Sequence, residues 1–141
     1  AKGKVLYKSS CLKCHGPHHL DAKKNPIYTA PKVIPKNKVN MEGANGASKQ
    51  VPLSVNDGAP IYSYRVFTIE GGGNTPYHQH NYEHMNYIIE GEGYLINESG
   101  EKLPLKKGDF ALVNPNEKHQ YRNASSENEF IMICGVPKEF E

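Results

Sequence analysis

Gly72-Gly73-Asn74-Thr75-Pro76-Tyr77-His78-Gln79-His80-Asn81-Tyr82-Glu83-His84 is the stretch that decides how this chain is read. His78 and His80 are two positions apart, so on an extended segment both side chains project from one face. His84 keeps the same even parity and joins them if the extension continues. A half-buried sheet face bearing three imidazoles is costly to desolvate unless something coordinates them. The chain has seven histidines, and they fall in two groups: 15, 18 and 19 near the start, and 78, 80, 84 and 119 further on.

Around this stretch, short β-rich runs alternate with turn signals. Residues 61–69 (IYSYRVFTI) are aromatic and β-branched and end in Gly71-Gly72-Gly73. Residues 85–89 lead into Glu90-Gly91-Glu92-Gly93, a predicted hairpin turn, with residues 94–96 after it. Residues 110–113 enter the turn Asn114-Pro115-Asn116-Glu117, and residues 118–123 and 129–136 complete the series. Strands about ten residues apart with turns between them predict an antiparallel sandwich or barrel. Composition agrees, since 37% hydrophobic and 23% charged residues suit a globular protein, and 13 Gly with 10 Pro imply many turns. No apolar run approaches the roughly 20 residues that span a bilayer as a helix.

The residues just quoted resemble the two motifs of the cupin superfamily. Gly72 to His80, followed by Glu90 to Gly93, resembles the first. Gly108-Asp109 through His119 to Asn123 resembles the second, with eleven positions from Gly to His and four from His to Asn. Asn114 and Asn116 stand where the family has Pro and Gly. His84 stands where it has a glutamate ligand, and Glu83 lies one place early. The pattern is similar to small single-domain cupins that hold a metal with four histidines. Asp57-Gly58-Ala59-Pro60, Arg65-Val66-Phe67 and Asn116 to Tyr121 fit them too. The resemblance implies an all-β fold, a single cupin (jelly-roll) β-barrel over residues 33–141. It also implies one divalent transition metal on His78, His80, His84 and His119. Imidazole ligation suits Mn, Fe, Ni, Cu or Zn without choosing among them.

Residues 1–32 read differently. They carry seven Lys against the single acid Asp21, whereas residues 33–141 are acidic on balance. The arm lacks the Arg–aromatic pattern of a nucleic-acid surface, so none is expected as a partner. A short helix is predicted over residues 1–20, broken at Gly16-Pro17, with Pro26, Pro31 and Pro35 marking an extended run after it. Cys11-Leu12-Lys13-Cys14-His15 is the attachment signature of c-type haem. Two thioethers from one turn clamp the porphyrin, and the adjacent imidazole meets the iron. A zinc half-site would need a second ligand pair, and a thioredoxin-like pair would need a βαβ setting. Gly3 to Tyr7 before Cys11 also resembles the first helix of class I cytochromes c. The expectation is therefore a short helical and extended arm bearing covalent haem c on Cys11, Cys14 and His15. Met41 is a candidate for the second axial position. His18 and His19 follow His15 too closely to reach the opposite face within one chain, though they could serve a neighbouring subunit.

Haem c implies a periplasmic or otherwise extracytoplasmic protein, and a start at Ala1-Lys2-Gly3 is consistent with removal of a signal peptide. Two functions follow. One is a haem protein on a cupin scaffold that transfers electrons or senses redox state or ligands, with a structural or modulatory metal. The alternative is a metal-dependent cupin oxidoreductase, dioxygenase-like, acting on a small substrate with the haem as electron relay. A redox partner protein or small-molecule ligand is expected, as is a homo-oligomer, because an exposed porphyrin is a large apolar patch. Glu83, Tyr87 and Arg65 are candidates to face the cavity without an acid–base pair being evident, and Cys134 reads as a buried core thiol.

Overall fold

Alternating burial along the inner strands builds the molecule, as seen in a computed structural model that describes residues 34–141. Cys11, Cys14 and His15 lie outside the described residues. The strands are β1 (Asn37–Lys38), β2 (Asn45–Leu53), β3 (Tyr62–Asn74), β4 (His84–Glu90), β5 (Glu92–Ile96), β6 (Lys102–Lys106), β7 (Phe110–Val113), β8 (Gln120–Asn123) and β9 (Phe130–Pro137). All ladders are antiparallel, in the order β6-β5-β8-β3-β9-β4-β7, with β2 on the other side of β3 and β1 beyond it. This is the all-β cupin barrel that the motifs implied.

Two local expectations are corrected. Gly71-Gly72-Gly73 does not end a strand; β3 continues through it to Asn74, with Gly72 at a φ of 71°. Residues 90–93 do not close a hairpin, because β4 pairs with β7 and β9 while β5 pairs with β6 and β8. The chain turns a corner there between two parts of the sheet. Gly91 holds a φ of 79°, and a Cβ on it would lie 2.2 Å from the Glu129 carbonyl oxygen, so only glycine fits that corner. Strands β2 and β6, like the two-residue β1, had no expectation of their own. The first is polar along much of its length, and the second holds Pro104, which a strand near the sheet edge tolerates.

The interior has two zones. Ile69, Ile88, Leu95, Val113, Tyr121, Phe130 and Met132 form the apolar core, with Phe67, Leu105 and Ala111 packed against it. Next to it, the same inward-facing rows turn polar. In register across three strands, Arg65 of β3 stands opposite Cys134 of β9, which stands opposite Asn86 of β4. All three are buried. Asn123 locks the far end, its Nδ2 donating to the carbonyls of Ile69, Glu70 and Asn128 at 2.7–3.0 Å while its Oδ1 accepts from Ser125 N. One side chain thus ties β8 to the end of β3 and to the loop before β9.

Candidate metal centre

The histidine segment is extended but is not a regular strand. Thr75 N donates to the Tyr121 carbonyl at 2.9 Å, and Tyr121 N donates back to Thr75 Oγ1 at 2.8 Å. Three residues on, His78 and His119 exchange both backbone hydrogen bonds, at 3.1 and 2.8 Å. That bridge brings two imidazoles distant in sequence side by side. His80 follows in the loop, where its carbonyl accepts from Asn116 N at 2.7 Å. Asn116 has a φ of 66°, so asparagine adopts the left-handed conformation at the family's glycine position. His84 opens β4.

Three of these rings converge. One ligand nitrogen from each of His78, His80 and His119 lies within 4.8 Å of the others. Each Nδ1 faces a backbone carbonyl: Pro76 at 3.0 Å for His78, Tyr82 at 2.6 Å for His80 and Glu117 at 2.8 Å for His119. A carbonyl only accepts, so each Nδ1 carries the proton and each neutral ring keeps its lone pair on Nε2. The Nε2 atoms of His80 and His119 are buried and have no hydrogen-bond partner. Buried polar atoms are ordinarily paired. Two buried lone pairs without partners, with the His78 ring converging beside them, are a donor set that fits a divalent ion.

His84 adjoins the group without sharing its state. Its ring centroid is 4.1 Å from that of His80 and 5.3 Å from that of His119. Its Nε2 accepts a hydrogen bond from Arg65 Nη2 at 2.9 Å. The guanidinium occupies the lone pair that a metal would use. Arg65 Nη1 in turn donates to the Phe140 carbonyl at 3.1 Å, and Nη2 also contacts Cys134 Sγ at 3.2 Å.

Burial keeps these rings uncharged. It pushes His84 down to about 2, helped by the neighbouring charges of His80 and Arg65. It pushes His80 down to about 4, against a partial opposing effect of the Tyr82 carbonyl, and lowers His119 as well. At neutral pH all three are free bases, the form that ligates metals.

The cluster opens on a cavity of about 450 Å³ walled by Phe67, Met132, Tyr121, Asn86, Arg65 and Lys49, among others. Asn86 Nδ2 donates to Tyr121 Oη at the back of it. Of the residues suggested by sequence, Arg65 lines this space. Tyr87 lies on the opposite face of β4 with its ring 4.7 Å from that of Phe110, and Glu83 is not part of the wall. Met41 is half exposed between β1 and β2 and contributes to the wall. Cys134 is buried as expected, yet it also borders the cavity. Asn86, Lys49 and Tyr121 were missed as wall residues. Their place follows from strand register, which no local pattern carries.

A barrel of this topology with a cluster of histidines in its mouth defines a cupin with a candidate metal centre. The family model "Cupin domain" matches residues 65–136, slightly over half of the chain, and the chain belongs to the cupin family. Among curated relatives, L-ectoine synthase of Mycolicibacterium gilvum is 33% identical over 96 residues, 67% of this chain and 70% of that protein. L-ectoine synthase of Vibrio campbellii is 28% identical over 86 residues, 61% and 66% of the two chains. Among solved structures, the polyketide cyclase RemF of Streptomyces resistomycificus superposes with a TM-score of 0.70 at 21% identity, covering 77% of this chain and 80% of its own. A predicted oxalate decarboxylase of Thermotoga maritima gives 0.63 at 20% identity, covering 74% and 91%. At these identities the structural matches speak for the fold alone.

Proposed function

We propose that the chain is a metal-dependent cupin enzyme acting on a small molecule in the cavity beside His78, His80 and His119, with His84 as a fourth ligand. The observation that carries this reading is the pair of buried, unpartnered Nε2 atoms, on His80 and His119, in the wall of an open cavity. A purely structural histidine cluster would have its nitrogens paired and no space against them. When bound, a divalent ion supplies Lewis acidity to an oxygen of the substrate. The chain's own residues do the rest. The carbonyls of Pro76, Tyr82 and Glu117 hold three imidazoles in the ligating tautomer. Phe67 and Met132 line the cavity with apolar surface, lowering the local dielectric. Ligation by His84 requires Arg65 to release its Nε2. That the curated relatives are synthases by name supports an enzyme over a storage or scaffolding role.

The Cys11-Cys14-His15 signature favours a second element of the same reading, covalent haem c on the arm, in an extracytoplasmic setting, with Met41 as the candidate second axial ligand. The haem then takes or supplies electrons for the metal site, or passes them to a redox partner. If the metal is only modulatory, the protein is instead an electron carrier or sensor on a cupin scaffold. Elemental analysis with a pyridine haemochrome spectrum of the full chain tests both parts. The expected result is one divalent metal and one haem per chain. Absence of bound metal after loading overturns the enzyme reading, and absence of haem from cells able to mature cytochromes c overturns the second element.

A further inference from the structure

Arg65 is the anomaly of the cavity. It is 6% exposed, yet among the described residues it forms no ion pair with any carboxylate. A buried charge that no opposite charge pairs is expensive, because it gives up the hydration the ion has in water. Its Nε is buried with no hydrogen-bond partner, while Nη1 and Nη2 are engaged. One face of the guanidinium lies over the Phe67 ring, 5.2 Å from its centroid, and the Nη2 edge opens for recognition when it releases His84 Nε2, as ligation by His84 requires.

The surroundings sharpen the point. Arg65, Lys49 and Lys38 all line the cavity, and among the described residues no Asp or Glu does. Burial and then the charge of Arg65 lower the pKa of Lys49, against an opposing effect of the Glu141 carboxylate, so the two cations act on the same space. A divalent ion on the histidines would add to this positive field. Two residues across the row, Asn86 Oδ1 is a buried acceptor that also has no partner. Arg65 and Asn86 are separated by the single strand β9, which sets their Cα atoms about 10 Å apart at the usual inter-strand spacing.

We propose that Arg65 anchors the carboxylate of a short organic acid bound in this cavity, and that Asn86 accepts an N–H or O–H of the same molecule. This rests on the reading of the cavity as the substrate site, and it names the substrate class. The carboxylate would pair the guanidinium directly, which no carboxylate among the described residues does, and an Arg–carboxylate contact is short and strongly directional. The second polar group satisfies the orphaned carbonyl oxygen. A hydroxy or amino acid of a few carbons spans the gap between strands. A neutral ligand of the same shape would leave the guanidinium uncompensated.

The experiment compares lactate with its neutral isostere lactamide, each titrated calorimetrically into zinc-loaded full-chain protein whose zinc content is measured. Lactate is expected to bind about tenfold more tightly or better, the ratio for one charge-assisted contact. In Arg65→Gln the two are expected to bind within about twofold of each other, and Arg65→Lys is expected to retain part of the preference. Equal affinity in the wild type overturns the proposal. So does an undiminished preference in Arg65→Gln, which would place the carboxylate on the metal. Where Arg65→Gln does not fold, chelator-stripped wild type decides: a persisting preference supports Arg65, and its disappearance overturns the assignment. Bound zinc without any preference defeats this proposal alone. A preference in protein that takes up no metal defeats the metal-site reading and leaves Arg65 as the anchor.

Discussion

Replacing His119 by alanine separates a metal centre from a merely packed histidine cluster. The ring is 2% exposed, donates from Nδ1 to the Glu117 carbonyl at 2.8 Å, and keeps Nε2 without a partner. In the metal-free protein the variant loses one hydrogen bond, worth about 1 kcal/mol, and sheds an unsatisfied buried nitrogen, a similar gain. Metal-free stability should therefore change by no more than about 1–2 kcal/mol, the residue being cavity formation. Metal binding should change far more. Four-ligand zinc sites bind with roughly 10–16 kcal/mol, so one imidazole accounts for about 3 kcal/mol, or about 100-fold in affinity. At zinc about 100-fold above the wild-type Kd, the ion stabilises the wild type by about 2.7 kcal/mol and the variant by about 0.4 kcal/mol. For a domain of this size that gap is a difference of roughly 10 °C in Tm. Competition against a chromophoric chelator measures the affinity, and melts with and without zinc measure the shift. An affinity within about threefold of wild type, with equal zinc-dependent shifts, would refute the argument that the orphaned Nε2 is a ligand.

The metal-free protein should lose stability in acid. His84 stays neutral in the fold down to about 2, whereas an unfolded imidazole protonates near 6.5, so below that pH the unfolded chain holds more protons and is favoured. The loss from His84 is about 1.4 kcal/mol per pH unit, and a urea midpoint unchanged between pH 7.5 and 5 would contradict it. Asn123→Ala breaks four hydrogen bonds at a buried position. It should lower stability by about 2–4 kcal/mol, read by denaturant melts, and a loss under about 1 kcal/mol would deny Asn123 its clamping role. Intact mass spectrometry of protein exported from cells able to mature cytochromes c should show an adduct of haem size. That adduct should vanish in the double variant Cys11→Ala, Cys14→Ala; the same mass with both cysteines gone would disprove thioether attachment.

Local order in the chain was enough for the cupin barrel and for most of the metal candidates. The spacing of Gly108, His119 and Asn123 and the even parity of His78, His80 and His84 are linear features, because turn chemistry and side-chain alternation act within a few residues. Asn116 departs from the motif's glycine, and it is the structure that places it in the left-handed conformation of that turn. The outcome at residues 90–93 is not a linear feature either. A glycine-rich turn reads alike whether it closes a hairpin or turns a corner, and the choice depends on which strands β4 and β5 find as partners.

The surroundings of the metal candidates were likewise decided only in three dimensions. Parity groups His84 with His78 and His80, yet Arg65, nineteen positions earlier, takes its Nε2. Arg65, Cys134 and Asn86 share one row because β9 pairs with both β3 and β4, a consequence of long-range register. The sequence by itself therefore settled the fold and named the histidines, since both are written in short-range spacing. Tertiary structure alone decided which nitrogens are left without partners and which cation is buried beside them. Those depend on contacts between strands far apart in the chain, where the low dielectric of the interior gives an unpaired nitrogen or guanidinium its chemical consequence.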